Sequence, residues 1–447
     1  MTELRFIRLL LVVAVAAATG IAQTHAQQPN TTQQKTTEQK TTQPKTTQPK
    51  TAEQKSAQQK GAPAAQLLRS GFNLPPAGET RFLPAEMLLD IPADVPTPTL
   101  DAIAARHTMT RLETQTFRLT GRTLHRWRLD GGGTVQAMIR GLAREPLVAG
   151  AQPNYVYALA QDAVARISSG QYAPDKLGLL AAHRLATGNR VLVALIDSGV
   201  DAGHPDLAGA IAASFDAAGE AASPDQHGTG MAGAIAARRT MLGTAPQVAL
   251  LTVRAFGAKA SNVDGTTFSI IKGLDWATEQ GARVINMSFA GPADPRLRDA
   301  FIKVSRRGIV LIAAAGNAGP RSPPLYPAAD PNVIAVTATD INDALFAGAN
   351  RGSHIAVAAP GVDILVPGTG GTYQLTTGTS VAAAQVSGVA ALLIERNPSL
   401  APADVRQILT RTAKAIAPKG REREFGAGLV NASQAVTAAR AVSEQAR

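Results

Sequence analysis

Apolar and polar positions along the chain fall into distinct textures. Arg5 and Arg8 precede an apolar run from Leu9 to Ala18, and small residues follow up to Ala26. A charged start, a short apolar stretch and the Thr24-His25-Ala26 exit read as a secretory signal peptide over residues 1–26. The run is short for a membrane span, so an uncleaved anchor is the weaker alternative. Residues 27–84 are polar and unpatterned. Within them, positions 31–60 are six pentapeptides, TTQQK, TTEQK, TTQPK, TTQPK, TAEQK and SAQQK, with no apolar side chain larger than alanine. Nothing there could offset the entropy of ordering the backbone, which predicts a disordered Gln/Thr/Lys-rich spacer.

From about Ala85 the pattern changes. Glu86–Ile91 alternates as a strand and Leu100–Ala105 has helical spacing. Arg111–Leu119 and Thr123–Leu129 read as strands either side of Gly121, Thr134–Ala143 as a helix, and Leu147–Leu159 as extended chain. The order strand-helix-strand-strand-helix-strand matches a small α+β, ferredoxin-like domain over 85–160. Beyond about Asp175, short Val- and Ile-rich runs alternate with helical stretches: Val191–Ile196, Val248–Val253, Val284–Met287, Ile309–Ala315 and Val333–Thr337. Such runs predict an α/β domain over 161–447, built on a buried, mostly parallel sheet with helices on both faces. A sheet of that kind places its site at the carboxyl ends of the strands.

Composition narrows the function classes. At 447 residues the chain exceeds what one core supports, and it has no cysteine, which removes disulfides, thiolate metal sites and cysteine nucleophiles together. The net charge of +11 is concentrated partly in the spacer, on Lys35, Lys40, Lys45, Lys50, Lys55 and Lys60. With no aromatic-basic stripe, the charge reads as solvated surface and no nucleic-acid partner is expected.

Three segments carry candidate chemistry. Val193-Ala-Leu-Ile-Asp197-Ser-Gly ends an apolar strand in a carboxylate, which suits either a turn aspartate or a functional one. Asp225-Gln-His227-Gly-Thr-Gly-Met-Ala-Gly sets a histidine at the start of a closely packing helix; a satisfied polar histidine is the plainer alternative. His204, in Gly203-His-Pro-Asp-Leu, reads as a turn residue. Thr377-Gly-Thr-Ser380-Val-Ala-Ala-Ala puts a serine at the head of a long apolar helix, where free amides favour developing negative charge or, more plainly, an N-cap.

In the order Asp…His…Ser within one parallel α/β domain, these segments resemble the subtilisin-like serine proteases, or subtilases, over roughly Asp175 to Val436. Asp197-Ser-Gly, His227-Gly-Thr and Gly378-Thr-Ser380 correspond to the family's three motifs. Val284-Ile-Asn-Met-Ser288, Tyr326-Pro-Ala, Ala359-Pro-Gly-Val362 and Phe425-Gly-Ala-Gly-Leu-Val430 are similar to its other segments. The resemblance implies a subtilisin-like three-layer sandwich and a secreted endopeptidase with Asp197, His227 and Ser380 as triad and Asn317 as oxyanion donor. It further implies a substrate cleft lined by Ser288, Phe289, Ala290 and Gly291 and by Ala313, Ala314, Ala315 and Gly316. Protein or peptide substrates are implied, with residues 85–160 as an inhibitory propeptide released by autocleavage within Ala158–Gln171. A monomer is expected, and no cofactor is required for the chemistry.

The sequence departs from the family at several points. Val381, Ala382, Ala383, Ala384 and Gln385 follow the serine where Met-Ala-x-Pro-His is usual. Gly230 stands where a second histidine is common. The loop Arg238-Arg-Thr-Met241 is too short and basic for the calcium loop many members carry, so metal ligands stay unassigned and structural calcium is not indicated. Ala290, where glycine is usual, points to small or medium apolar residues before the scissile bond. A binding protein with decayed catalysis, or an esterase or ligase using the same triad, are the competing readings.

Overall fold

The computed structural model describes residues 68–160, 162–165, 170–219, 223–257 and 265–440. The predicted signal peptide and the pentapeptide tract lie outside the described residues.

The N-terminal domain contains β1 (Phe82–Asp90), α1 (Thr97–His107), β2 (Met109–Phe117), β3 (Arg122–Leu129), α2 (Val135–Leu142) and β4 (Gly150–Leu159). The strands pair antiparallel in the order β4-β1-β3-β2, so the sequential hairpin β2–β3 lies to one side and the C-terminal strand to the other. Met87, Leu89, Ile103, Trp127 and Ile139 form its core. Alternation along β3 sends Trp127 and Leu129 inward, as the period-2 pattern requires. The domain begins earlier than the change of texture at residue 85. Phe72 is buried and bridges to Ala151, and the Asn73 amide donates to the Ala151 carbonyl at 2.8 Å. Leu68 and Leu74 pack against the same core. These apolar residues are isolated in polar surroundings, too sparse to form a period, which is why the spacer seemed to extend to 84.

The larger domain contributes β5 (Asp162–Ala165), β6 (Leu192–Asp197), β7 (Ile211–Asp216), β8 (Ala249–Arg254), β9 (Gly265–Thr266), β10 (Val284–Met287), β11 (Phe289–Ala290), β12 (Val310–Ala314), β13 (Val333–Thr339), β14 (Ile355–Pro360), β15 (Ile364–Pro367) and β16 (Tyr373–Thr377). Seven of them form a sheet in the order β14-β13-β12-β10-β6-β8-β7, every pair parallel. The five runs expected as strands occupy its middle. The edge strands β7 and β14 escaped the sequence pattern, because β7 is only half buried and β14 is rich in alanine. Val193, Leu195, Ile312 and Ala314 pack on one face beneath the helices Gln226–Ala236 and Thr379–Arg396. Ala194, Ile196, Leu311 and Ala313 pack on the other, with the helices Thr267–Glu279 and Pro295–Arg306. The N-terminal domain adds Phe117, Leu119, Tyr155 and Tyr157 to this second cluster.

The helix Gln226–Ala236 is buried from His227 onward, which its small residues permit. A methyl group at Gly233 would lie 2.1 Å from Pro367 Cδ, and one at Gly228 would lie 2.7 Å from the Ser198 carbonyl. Gly233→Ala should therefore destabilise the protein by about 1–3 kcal/mol through overpacking. Urea unfolding followed by circular dichroism checks this.

Candidate active site

The strand order turns around β6: the chain fills β7 and β8 on one side, then crosses to β10, β12, β13 and β14 on the other. The adjacent strands β6, β10 and β12 thus deliver Asp197, Ser288 and Asn317 to one crevice at their carboxyl ends.

Asp197 closes β6 and is completely buried. Its Oδ1 accepts from His227 Nδ1 at 2.6 Å and from the Ser198 amide at 2.8 Å, and the Ser198 hydroxyl lies 3.2 Å away. A buried carboxylate is tolerable only with such partners. The Asp225 side chain caps the histidine helix by accepting from the His227 amide at 2.9 Å. It also stands 2.8 Å from the Ser198 hydroxyl, which itself accepts from the Gly228 amide at 3.0 Å. The β6 exit and the helix start are thereby locked together. With Nδ1–H committed to Asp197, His227 Nε2 is buried and has no hydrogen-bond partner among the described residues.

Ser380 is the second residue of the helix Thr379–Arg396. Its hydroxyl lies 2.5 Å from the Ala160 carbonyl oxygen and 3.0 Å from the Ser288 carbonyl oxygen. Asn317 Nδ2 donates to the same Ala160 oxygen at 2.9 Å. Its amide is aimed by Thr379, whose N–H and hydroxyl donate to Asn317 Oδ1 at 3.1 and 2.8 Å. Gly316, at φ +103°, gives the chain the turn that presents Asn317, and its amide donates to Thr379 Oγ1 at 3.0 Å.

The segment ending at Ala160 lies in the crevice as a strand with partners on both edges. On one edge Phe289 pairs with Leu159 and Ala290 with Ala158, and the Ala160 amide donates to the Ser288 carbonyl at 3.2 Å. On the other, Thr266 pairs with Val156 and Gly265 with Tyr157. The Tyr157 ring is fully buried against Phe289, with its hydroxyl 3.2 Å from the Pro292 carbonyl. Burial holds that phenol far above its ordinary pKa, so it remains a neutral donor. A methyl group at Gly291 would strike the Tyr157 ring at 2.2 Å. Ala314 shares a buried cluster with Ala160, whereas Ala313 and Ala315 share that of Tyr157 and Phe289.

Asp197 and His227 therefore form one bonded pair, while Ser380, Asn317, Ser288, Phe289, Ala290 and Gly291 gather about the segment ending at Ala160. Several residues there were not anticipated. Thr379 and Ser198 fall inside the quoted motifs, but their function is to orient neighbours. Gly265 and Thr266 act through the backbone, which leaves no side-chain signature. A buried relay also runs from the Ser387 hydroxyl to Asn286 Oδ1 (2.9 Å), from Asn286 Nδ2 to Ser288 Oγ (2.8 Å), and from Ser288 Oγ to the Ser380 carbonyl (3.1 Å).

The subtilase family model matches residues 188–428. The chain belongs to the subtilase family. It is 39% identical over 262 residues to subtilisin Savinase from Lederbergia lenta, covering 57% of this chain and 94% of that protein. It is 37% identical over 277 residues to thermitase from Thermoactinomyces vulgaris, covering 60% and 96%. Among solved structures, fervidolysin from Fervidobacterium pennivorans, described as a keratinolytic enzyme related to subtilisin, superimposes with a TM-score of 0.69 at 27% identity. That match covers 82% of this chain and 62% of fervidolysin. The chain is thus a subtilisin-type serine endopeptidase with the subtilisin-like fold.

Two of this subtilase's departures have local reasons. At Gly230 a side chain would begin 2.9 Å from Val366 Cγ2, leaving no room for a second histidine. Gln385 is buried and donates to the Pro360 carbonyl at 3.1 Å, so the changed residues after the serine still tie their helix to the end of β14. Thr379→Val removes the hydroxyl that aims Asn317 without changing volume greatly. It should lower kcat by about ten-fold, the equivalent of one weakened hydrogen bond, while Thr379→Ser restores it; peptide hydrolysis by the two variants checks this.

Proposed function

We propose that this subtilase is a secreted zymogen that cuts its own Ala160–Gln161 bond and then hydrolyses other polypeptides by the same chemistry. The observation that carries this reading is the Ala160 carbonyl oxygen, held at once by Asn317 and by the Ser380 hydroxyl. A peptide in that position is laid out as substrate: extended, paired on both edges, and with its carbonyl at the serine.

Ser380 Oγ attacks the Ala160 carbonyl carbon while His227 Nε2 takes its proton, and Asp197 orients the ring and stabilises the imidazolium. Charge developing on the carbonyl oxygen is met by Asn317 Nδ2 and by the Ser380 amide, one of the free N–H groups of the first helical turn. The tetrahedral intermediate collapses by breaking the C–N bond, with His227 returning the proton to the Gln161 nitrogen. Water then attacks the acyl group on Ser380, with His227 again as base, and releases the Ala160 carboxylate. No metal or organic cofactor enters these steps.

After the cut, the N-terminal domain keeps its other contacts. Gln152 Nε2 donates to Asp294 Oδ1 at 3.1 Å, Lys272 pairs with Glu113 at 3.0 Å, and Asp275 accepts from the Leu119 amide at 2.6 Å. These contacts support its role as an inhibitory propeptide. The alanine at the cleaved position, beside Ala290, agrees with a preference for small residues before the scissile bond. A peptide library preferring Phe, Tyr or Lys at that place would sink that preference.

Intact mass of the secreted protein tests the reading. Wild type should begin at Gln161 and label with a fluorophosphonate, whereas Ser380→Ala should retain the N-terminal domain and stay unlabelled. Two folded, uncut and unlabelled proteins would overturn it. Asn317→Ala should still process, but with kcat on peptides lower by about 10²–10³, the loss expected for one oxyanion donor.

A further inference from the structure

Asp225 caps the histidine helix, and its carboxylate also competes with Asp197 for one proton. A serine hydroxyl has a single hydrogen to give. Ser198 Oγ lies 2.8 Å from Asp225 Oδ1 and 3.2 Å from Asp197 Oδ1, and it accepts from the Gly228 amide at 3.0 Å. Both acceptors are carboxylates, so distance decides between them and the proton goes to Asp225.

Asp197 is left with two close donors, both on Oδ1: the Ser198 amide at 2.8 Å and His227 Nδ1 at 2.6 Å. Its Oδ2 is buried and has no hydrogen-bond partner among the described residues. A carboxylate with few donors concentrates its charge on those it keeps, so the bond to the imidazole is strong. Each further donor on Asp197 would share that charge and loosen its hold on the ring.

The backbone fixes Asp225 for this task. Its amide donates to the Gly199 carbonyl at 3.0 Å, and its carbonyl accepts from the Thr229 amide at 3.1 Å. Its Oδ1 is held by the His227 amide at 2.9 Å. Capping the helix needs only an oxygen acceptor, and serine or asparagine would serve as well. A full negative charge is needed only to win the Ser198 hydroxyl from a second carboxylate.

We propose that Asp225 is a positioning residue of the proteolytic reaction: by holding the Ser198 hydroxyl it keeps that donor off Asp197 and leaves the Asp197 carboxylate to His227. The inference rests on the reading of His227 as the base that Asp197 orients. When His227 takes up the Ser380 proton, the positive ring meets a carboxylate that shares its charge only with one backbone amide.

The test is a double-mutant cycle on the matured enzyme. It is read by hydrolysis of Val-Tyr-Ala-Leu-Ala-Gln-Asp, which copies residues 156–162, and by the proton NMR resonance of His227 Nδ1–H. Asp225→Asn keeps an oxygen for the cap and loses the charge, so the Ser198 hydroxyl turns to Asp197. The resonance should move upfield, and kcat should fall about ten-fold, the equivalent of one redirected hydrogen bond. KM should stay within about two-fold, because the effect reaches the reaction through the triad. In a Ser198→Ala background there is no hydroxyl to redirect, and the same substitution should move neither kcat nor the resonance. Asp225→Ser, also able to cap, provides the same readings if the asparagine variant does not fold. An unmoved kcat and resonance in Asp225→Asn, or an equal fall with and without the Ser198 hydroxyl, would overturn the proposal. Full kcat in His227→Ala would instead sink the reading of His227 as the base.

Discussion

The structure turns on one buried charge. Asp197 sits at the end of a strand with no exposed surface, and a carboxylate taken out of water there costs several kcal/mol unless its partners are fixed in place. Its stabilisation comes from the His227 ring and the Ser198 amide, so β6, the loop after it and the start of the histidine helix must meet at backbone distance. The glycines follow from that demand. A methyl group at Gly199 would stand 2.0 Å from the Ser223 carbonyl. At Gly228 it would overlap the β6 exit. Asp225 and Ser198 then close the junction by capping one another's neighbours. The histidine is left with one orientation, Nδ1 held on Asp197 and Nε2 left over.

The serine is held by a different device. The helix Thr379–Arg396 is buried from Thr379 to Ile394, so it has no amphipathic stripe and runs through the interior as a rod. Its head carries Thr379 and Ser380 side by side with different partners: the first fixes the Asn317 amide, the second reaches the Ala160 carbonyl. Because Gly316, Asn317 and Thr379 are joined by hydrogen bonds, the Asn317 amide and the Ser380 hydroxyl are placed by the same turn of helix, as the proposed mechanism needs. Electrostatic preorganisation of this kind needs no rearrangement when charge develops. The Ser387–Asn286–Ser288 relay ties the exit of β10 to the same rod about two turns further on.

Most of this was legible in the sequence because the chemistry sits at the ends of strongly apolar elements. Asp197 ends a short apolar run, His227 begins a run of small residues and Ser380 begins a long apolar one, and Asn317 lies in a Gly-rich turn after another apolar run. What was not legible acts through backbone or through geometry that only folding creates. The β9 residues Gly265 and Thr266 pair with the end of β4 by main-chain groups. The carbonyl that reaches Ser380 belongs to an alanine, so no interval narrower than Ala158–Gln171 could be drawn from side chains. Phe72 joins the N-terminal core from a stretch where apolar residues are too rare to show a period. His204 looked like a turn residue, and it is in a turn, but its ring is buried by Tyr373 from a strand far along the chain.

The contacts between the two domains divide into kinds that respond differently to cutting. The ion pairs, Lys272–Glu113 at 3.0 Å and Arg118–Glu279 at 3.2 Å, are partly exposed, and pairs of that sort contribute about 0–1 kcal/mol each. The apolar contacts are deeper: Phe117 meets Phe268 edge-on at 5.7 Å, and Tyr157 is sealed beneath Gly291 and Phe289. Burial of large aromatic side chains is worth about 1.5–3 kcal/mol each, and so it outweighs the ion pairs. Tyr157 lies upstream of the Ala160–Gln161 bond, so the cut proposed there would leave it in place. The chain has thus put its strongest grip on the enzyme upstream of the bond that reaches the serine. The pairing of β5 with β16 lies downstream of that bond, outside this grip.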